Sequence, residues 1–293
     1  MWINLSLIAA FFFAARILVI KKYLSGVDVL FMAFMYRALG LVMLIALYPM
    51  FESAGFTSQS VWKVAGITAV ITAAASIIQL VAIKKFEISA SVPYLSFTPV
   101  FMILPVYFLF KEIPQSRALG GIVLIIAGAF ILNVKGASFK KSIIELAKNK
   151  GGWLYLAVAF LFGISTTLDR VAIEASNGYT YTLVWHIIST GLFLPVLFNK
   201  TKLPEYKQNL TTLLPAFLLQ AAFGIIAFLC QMGAVGITAQ IAANVLYVKA
   251  LTMLQLFFTV FLGIVLLKEH NAWSRLAGST IMIGGAVVVI LFY

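Results

Sequence analysis

Apolar runs of eighteen or more residues recur from one end of this chain to the other. Each is long enough to cross a hydrocarbon layer about 30 Å thick at about 1.5 Å of helix rise per residue. A soluble domain of this length typically carries about 25% charged residues to hold it in water. Here 10% of the residues are charged and 63% are hydrophobic, with a mean hydropathy of +1.06. The sequence therefore predicts an all-α integral membrane protein, embedded in the lipid bilayer for nearly all of its length.

Ten spans are predicted, over about 3–20, 29–50, 61–83, 88–110, 116–134, 152–169, 179–198, 211–232, 237–267 and 273–293. The first has no basic residues before it and no small-residue cleavage pattern after it, so it reads as a retained span rather than a removed signal peptide. A single sizeable polar connection, KGASFKKSIIELAKNKGG, falls almost midway. It divides the chain into residues 1–134, a basic connector over 135–152, and residues 153–293.

The two halves resemble each other. Lys111–Ala129 and Lys268–Ala286 align without a gap at an offset of 157, matching Lys111, Glu112, Gly121, Gly128 and Ala129 with Lys268, Glu269, Gly278, Gly285 and Ala286. Glycines seven residues apart share a helix face, where small residues let neighbouring backbones approach closely in a membrane bundle. A second match pairs AFFFA at Ala10–Ala14 with AFLFG at Ala159–Gly163. A repeat of five spans is odd-numbered, so the second copy is expected to cross the membrane upside down. Two inverted five-helix repeats of this kind build secondary transporters, with the site near the midplane between them.

Charge sets the expected orientation. Fourteen Lys and Arg fall in the odd-numbered loops and the loop between spans nine and ten, against Lys63, Lys111 and Arg117 in the even-numbered loops. The positive-inside rule then puts both termini outside a cell (inner) membrane. The net charge of +12 reflects these clusters and does not indicate nucleic acid.

The segments FLFKE and VLLKE, each followed by a glycine-bearing last helix, resemble the EamA-type permeases of the drug/metabolite transporter superfamily. So does TPVFMILPVYFLFKE at Thr98–Glu112, with QLFFTVFLGIVLLKE at Gln255–Glu269 as its second copy. Leu256 stands where the second proline would fall, so no proline kink is expected there. The resemblance implies a ten-helix basket with a central cavity and alternating access. Activities in that family span amino acids, sugars, nucleotide conjugates and other metabolites.

Lys249 is the residue that most invites a function. It is the one charge in the run Ile237–Leu267, about thirteen residues and roughly 18 Å into the ninth span. A lysine at the bilayer centre costs about 2.5–3.5 kcal/mol on insertion scales and faces a cavity or a partner. The ungapped alignment puts Val92 at the matching place, so the lysine belongs to one repeat alone. It reads as an anchor for a carboxylate or phosphate on a small-molecule substrate, or as a proton carrier, or as a lysine satisfied within the scaffold. Arg37 lies deep in the second span, Arg16 in the first and Asp169 near the outer end of the sixth, all three pathway or gate candidates. Asp169 is the one acid inside a span, and its neighbour Arg170 suggests a local ion pair or interfacial anchor.

His186, after Trp185 in span seven, is a candidate for substrate binding or proton coupling. Gln79, Tyr94, Ser96, Gln220, Gln231, Gln240, Asn244 and Tyr247 add uncharged polar groups. Gln240, Asn244 and Tyr247 share one helix face, while Lys249 points elsewhere unless the helix kinks.

The expected function is a secondary transporter of a small polar metabolite, an amino acid or another carboxylate-bearing compound. Transport of neutral sugars or nucleotide-type metabolites, and a non-transporting receptor or assembly subunit, are the alternatives. Enzyme motifs such as G-x-S-x-G and G-x-x-x-x-G-K-[ST] are missing from the sequence, as is a metal-spaced cluster. No cofactor is expected. Cys230 is the single cysteine, which excludes a disulfide framework. A coupling proton or sodium ion stays open, and a monomer is expected with a dimer as the alternative.

Overall fold

The computed structural model describes residues 1–51, 56, 58–86, 92–131, 150–238, 244–267 and 272–292. Among these the chain is helical, with no strand. The helices are α1 (Trp2–Tyr23), α2 (Val29–Leu47), α3 (Gln59–Lys85), α4 (Thr98–Phe110), α5 (Ser116–Ile131), α6 (Lys150–Glu174), α7 (Gly178–Phe193), α8 (Leu203–Ile237), α9 (Asn244–Thr252), α10 (Gln255–Leu267) and α11 (Ala272–Leu291). Val92–Phe97 forms a 3-10 helix that leads straight into α4.

Eight helical segments among the described residues are long and apolar enough to cross a membrane. The sequence reading places ten. Two further apolar segments, Ser116–Ile131 and Ala277–Leu291, are shorter, and the first ends where the described residues end. Sixteen residues of α5 rise about 24 Å. Val42, Ile67, Leu104, Phe108 and Val123 are exposed, as lipid-facing side chains of a membrane bundle are.

Local chemistry starts several of these helices. The Asp28 carboxylate accepts from the Leu30 and Phe31 N–H groups at 3.0 and 3.1 Å and caps α2. Asn177, 149 residues later, accepts from the Thr180 N–H at 2.8 Å and caps α7. Each cap satisfies donors that a helix leaves open at its N-terminus. Within the spans, hydroxyls turn back on their own helix. Thr72 donates to Thr68 O at 2.6 Å and Thr167 to Gly163 O at 2.9 Å, which satisfies these hydroxyls in a medium without water.

Two span boundaries differ from the sequence reading. Helix α8 runs 35 residues, from Leu203 to Ile237, so it extends beyond both ends of the predicted span eight and reaches the first residue assigned to span nine. Lys249 then lies in the last turn of the nine-residue α9 rather than thirteen residues into a continuous span. The span also breaks, although Leu256 replaces the proline. Met253 N–H bonds to Ala250 O and Leu254 N–H to Leu251 O, at 3.1 and 3.0 Å. These are i→i+3 bonds that tighten and end the helix. A shift of 157 residues carries the junction between the 3-10 helix and α4 at Thr98 onto the start of α10 at Gln255. Spans four and nine are therefore interrupted at matching places.

Helices of the two halves interleave. Helix α1 packs against α8 and α10, α2 against α7 and α8, and α3 against α6 and α7. The tightest seam joins α5 to α11. A Cβ on Gly121 would lie 2.7 Å from Gly285 O, and one on Gly128 would lie 2.6 Å from Met282 N and 2.7 Å from Gly278 O. Partners fall in number as the α5 residues rise, so the two helices run antiparallel. The first repeat glycine of each half meets the second of the other. In a bilayer, where lipid tails are as apolar as leucine, such close backbone contact is what holds helices together.

At one end of the bundle, Lys202 Nζ lies 2.7 Å from Asp28 Oδ2, and Phe31 stacks on Tyr206 with centroids 4.3 Å apart. Burial pushes the Asp28 carboxyl up, but the Lys202 hydrogen bond and charge, with the two backbone donors, bring it below its ordinary 3.8.

Three outcomes are expected. Gly128→Leu collides with backbone atoms that no rotamer relieves, so it lowers stability by about 3 kcal/mol or more. Gly120→Ala, where nothing lies within 4 Å, leaves the melting temperature in detergent unchanged or slightly raised. A folded state that holds Asp28 below its free value gains stability above pH 3.8, and this is lost as the pH falls through the depressed value. Asp28→Asn keeps a capping side chain, so its melting temperature is expected to fall less steeply with acid than that of the wild type.

Candidate functional site

A cavity of about 130 Å³ lies between helices of both halves. Its lining follows the repeat. Phe13, Arg16 and Ile17 on α1 recur 149 residues later as Phe162, Ser165 and Thr166 on α6, and all six face the cavity. At the same spacing Tyr36 on α2 recurs as Trp185 on α7. Ser76 and Gln79 on α3 recur 152 residues later as Phe228 and Gln231 on α8. Leu95 and Thr98, at the interruption of span four, recur 157 residues later as Thr252 and Gln255, at the interruption of span nine.

Charge departs from this pairing. Arg16 holds its guanidinium 4.0 Å from the centre of the Tyr36 ring. Arg37 donates from Nη1 to Ala33 O at 3.0 Å and from Nη2 to Ser76 Oγ at 2.9 Å. It also sits 4.3 Å from the centre of the Phe193 ring, a contact with the negative face of the π system. Lys249 Nζ is 5.6 Å from the centre of the Phe162 ring and has no hydrogen-bond partner among the described residues.

Asp169 corrects the sequence reading. Its neighbour Arg170 turns away and pairs with Glu174 at 2.7 Å, so the adjacent Asp-Arg pair is not an ion pair. Residues adjacent in a helix point about 100° apart, and here that sends Asp169 into the cavity. Its Oδ1 accepts from the Tyr181 hydroxyl and lies 3.5 Å from Ser165 Oγ. Thr68 Oγ1 lies 2.8 Å from the same tyrosine oxygen, so the chain Asp169–Tyr181–Thr68 ties α6 through α7 to α3. The charges of Asp169 and Lys249 act on each other, but no ion pair within 4.0 Å joins them among the described residues.

Of the sequence candidates, Lys249, Gln79, Trp185, Arg37, Arg16 and Asp169 line the cavity. Four others do not. The Tyr247 hydroxyl accepts from the Gln115 N–H at 2.9 Å, tying α9 to the entry of α5. Asn244 is buried in the same helix without reaching the cavity. The face shared by Asn244 and Tyr247 thus turns away from the face of Lys249, as the helical angles require. Tyr94 packs edge-on against Phe130, with centroids 5.2 Å apart, and against Gly152.

His186 is fully buried behind Trp185 and donates from Nδ1 to Thr182 O at 2.9 Å. It packs on Gly40, Tyr36 and Phe228. Gln240 lies outside the described residues. Ser165, Thr166, Thr98, Gln255 and Tyr181 escaped the sequence reading. The match of AFFFA with AFLFG, extended by three residues on each side of the alignment, points to Ser165 and Thr166.

A family model described as the EamA-like transporter family matches residues 1–134 and 149–291. The chain belongs to that family. It is a multi-pass membrane transporter of the drug/metabolite type, and the family is one of transporters rather than enzymes. Among curated proteins, no sequence matches. Twenty-nine (29) chains of solved structures match. One of them, titled "Crystal structure of protein", has a TM-score of 0.65 and 17% identity over 98% of each chain, which shows a shared fold. In this EamA-like chain the cavity lies between helices drawn from both matched segments.

Tyr181→Phe removes the hydroxyl that joins Asp169 to Thr68. Interhelical hydrogen bonds in membranes contribute about 0.6 kcal/mol on average and up to about 1.7. The variant is expected to lose about 1–2 kcal/mol, read as reversible unfolding of the detergent-solubilised protein.

Proposed function

We propose that this transporter moves a small carboxylate-bearing metabolite, with amino acids and other carboxylates as the class, by alternating access of two inverted five-helix halves. The halves are residues 1–134 and 153–293, joined by the cytoplasmic connector 135–152, with both termini outside the cell membrane. The observation that carries the reading is Lys249, an ammonium without a hydrogen-bond partner among the described residues, in a cavity lined from both halves.

Three features support the mechanism. The antiparallel α5–α11 seam matches glycine to glycine as an inversion requires. The cavity lining recurs at fixed spacing in both halves, so the two sides of the cavity exchange roles when the halves rock. Interrupted spans four and nine meet at the cavity, the arrangement in which secondary transporters hold cargo on exposed helix ends.

Lys249→Ala removes the anchor while relieving a desolvated charge, so the protein is expected to stay folded and inserted. In proteoliposomes its flux of carboxylate-bearing metabolites should fall to background, whereas wild type carries them. Wild-type flux from the variant overturns the anchor. The same assay without detectable flux for any metabolite favours a receptor or assembly subunit.

A further inference from the structure

The cavity holds more positive charge than a single anchor requires. Arg16, Arg37 and Lys249 line it, and Asp169 is the one carboxylate among its described lining residues. Three cations and one anion leave an excess of two positive charges. Arg37 is 2% exposed, and the Nε atoms of both Arg37 and Arg16 are buried without a hydrogen-bond partner. Burying a charge without its counter-ion is strongly unfavourable, and the described lining residues supply too little anionic charge to balance the cations.

The excess is divided into two poles. Arg16 and Arg37 gather around one ring, 4.0 and 5.9 Å from the centre of Tyr36, and their charges act on each other. Both come from the first half, on α1 and α2. Lys249 comes from the second half, over the Phe162 ring, with Asp169 as the charge that acts on it. An aromatic face lies against each cation. Arg37 also donates to Ala33 O and Ser76 Oγ, while Arg16 Nε and Lys249 Nζ have no hydrogen-bond partner among the described residues. A guanidinium suits a planar carboxylate, and an ammonium suits a single point of negative charge.

We propose that the cavity takes a compact dianion with its two anionic groups at opposite ends, of the dicarboxylate class. One group is held by Arg16 and Arg37 and the other by Lys249. This rests on the reading of Lys249 as a substrate anchor. A monocarboxylate leaves one pole bare, and a neutral zwitterion leaves the net charge of the lining uncancelled. A dianion cancels it. Asp169 sets the strength of the Lys249 pole, holding it in check while the cavity is empty.

The test is binding to the purified full chain, by calorimetry and thermal stabilisation, of succinate, butyrate, alanine and glycerol 3-phosphate. Succinate is expected to bind about tenfold or more tighter than butyrate, the factor that one further charge-assisted contact supplies. Arg37→Gln should shrink that ratio to less than about threefold. Because Arg37 also braces Ala33 and Ser76, Arg16→Gln serves as the second variant, with the same loss of preference expected.

Equal binding of succinate and butyrate by wild type overturns the dianion while leaving the carboxylate reading intact. Tightest binding of glycerol 3-phosphate, which carries both charges on one end, overturns the two separate poles. A succinate preference that survives both arginine variants does so as well. Failure of every carboxylate to bind overturns the substrate class itself, and this proposal with it.

Discussion

A bilayer core supplies no hydrogen-bond partners, so every backbone group and every charge within it must be satisfied by the protein itself or lie against a wet cavity. Much of this structure follows from that constraint. The chain is helical because helices alone satisfy each segment internally. Its irregular backbone, at Val92–Phe97 and at Met253–Leu254, lies between helices of the two halves rather than toward lipid. Threonines and serines in the spans fold back on carbonyls of their own helix. The charged groups left over, Arg16, Arg37, Asp169 and Lys249, line one cavity.

The same medium removes the usual force for packing. Helices gain nothing by hiding apolar side chains from lipid, so association relies on close fit and on polar links between helices. The glycine seam of α5 and α11 supplies the first. Backbone atoms there approach so nearly that a single methyl group would collide. Tyr181, Tyr179 and Tyr247 supply the second, each bonding a group on another helix or loop, respectively Asp169, Leu44 O and the Gln115 N–H. Rigid contacts of this sort let groups of helices move as bodies, which is what transport by rocking needs.

Repeat and cargo chemistry meet in the cavity. Its uncharged lining recurs from half to half, as a surface that must serve from both sides would. Its charges do not recur: Ser165 answers Arg16, His186 answers Arg37 and Ile20 answers Asp169. The charged positions of the cavity are those at which the two halves differ.

Composition and run length by themselves determined the membrane class, because hydropathy over eighteen residues is a local property that no tertiary contact alters. The internal match at an offset of 157 likewise exposed the glycines and the matching helix ends, and it flagged Lys249 as unpaired. Which way each side chain faces was beyond the sequence. Asp169 and Arg170 are neighbours in the chain, yet one enters the cavity and the other pairs with Glu174. Helical angles alone separate Asn244 and Tyr247 from Lys249, but only packing decided that the Lys249 face is the one that meets the cavity. The interruption before Gln255 arose without a proline, from backbone bonds that tighten over three residues. Facing, helix breaks and shared cavities depend on how several helices pack together, and packing is decided by contacts between residues far apart in the chain.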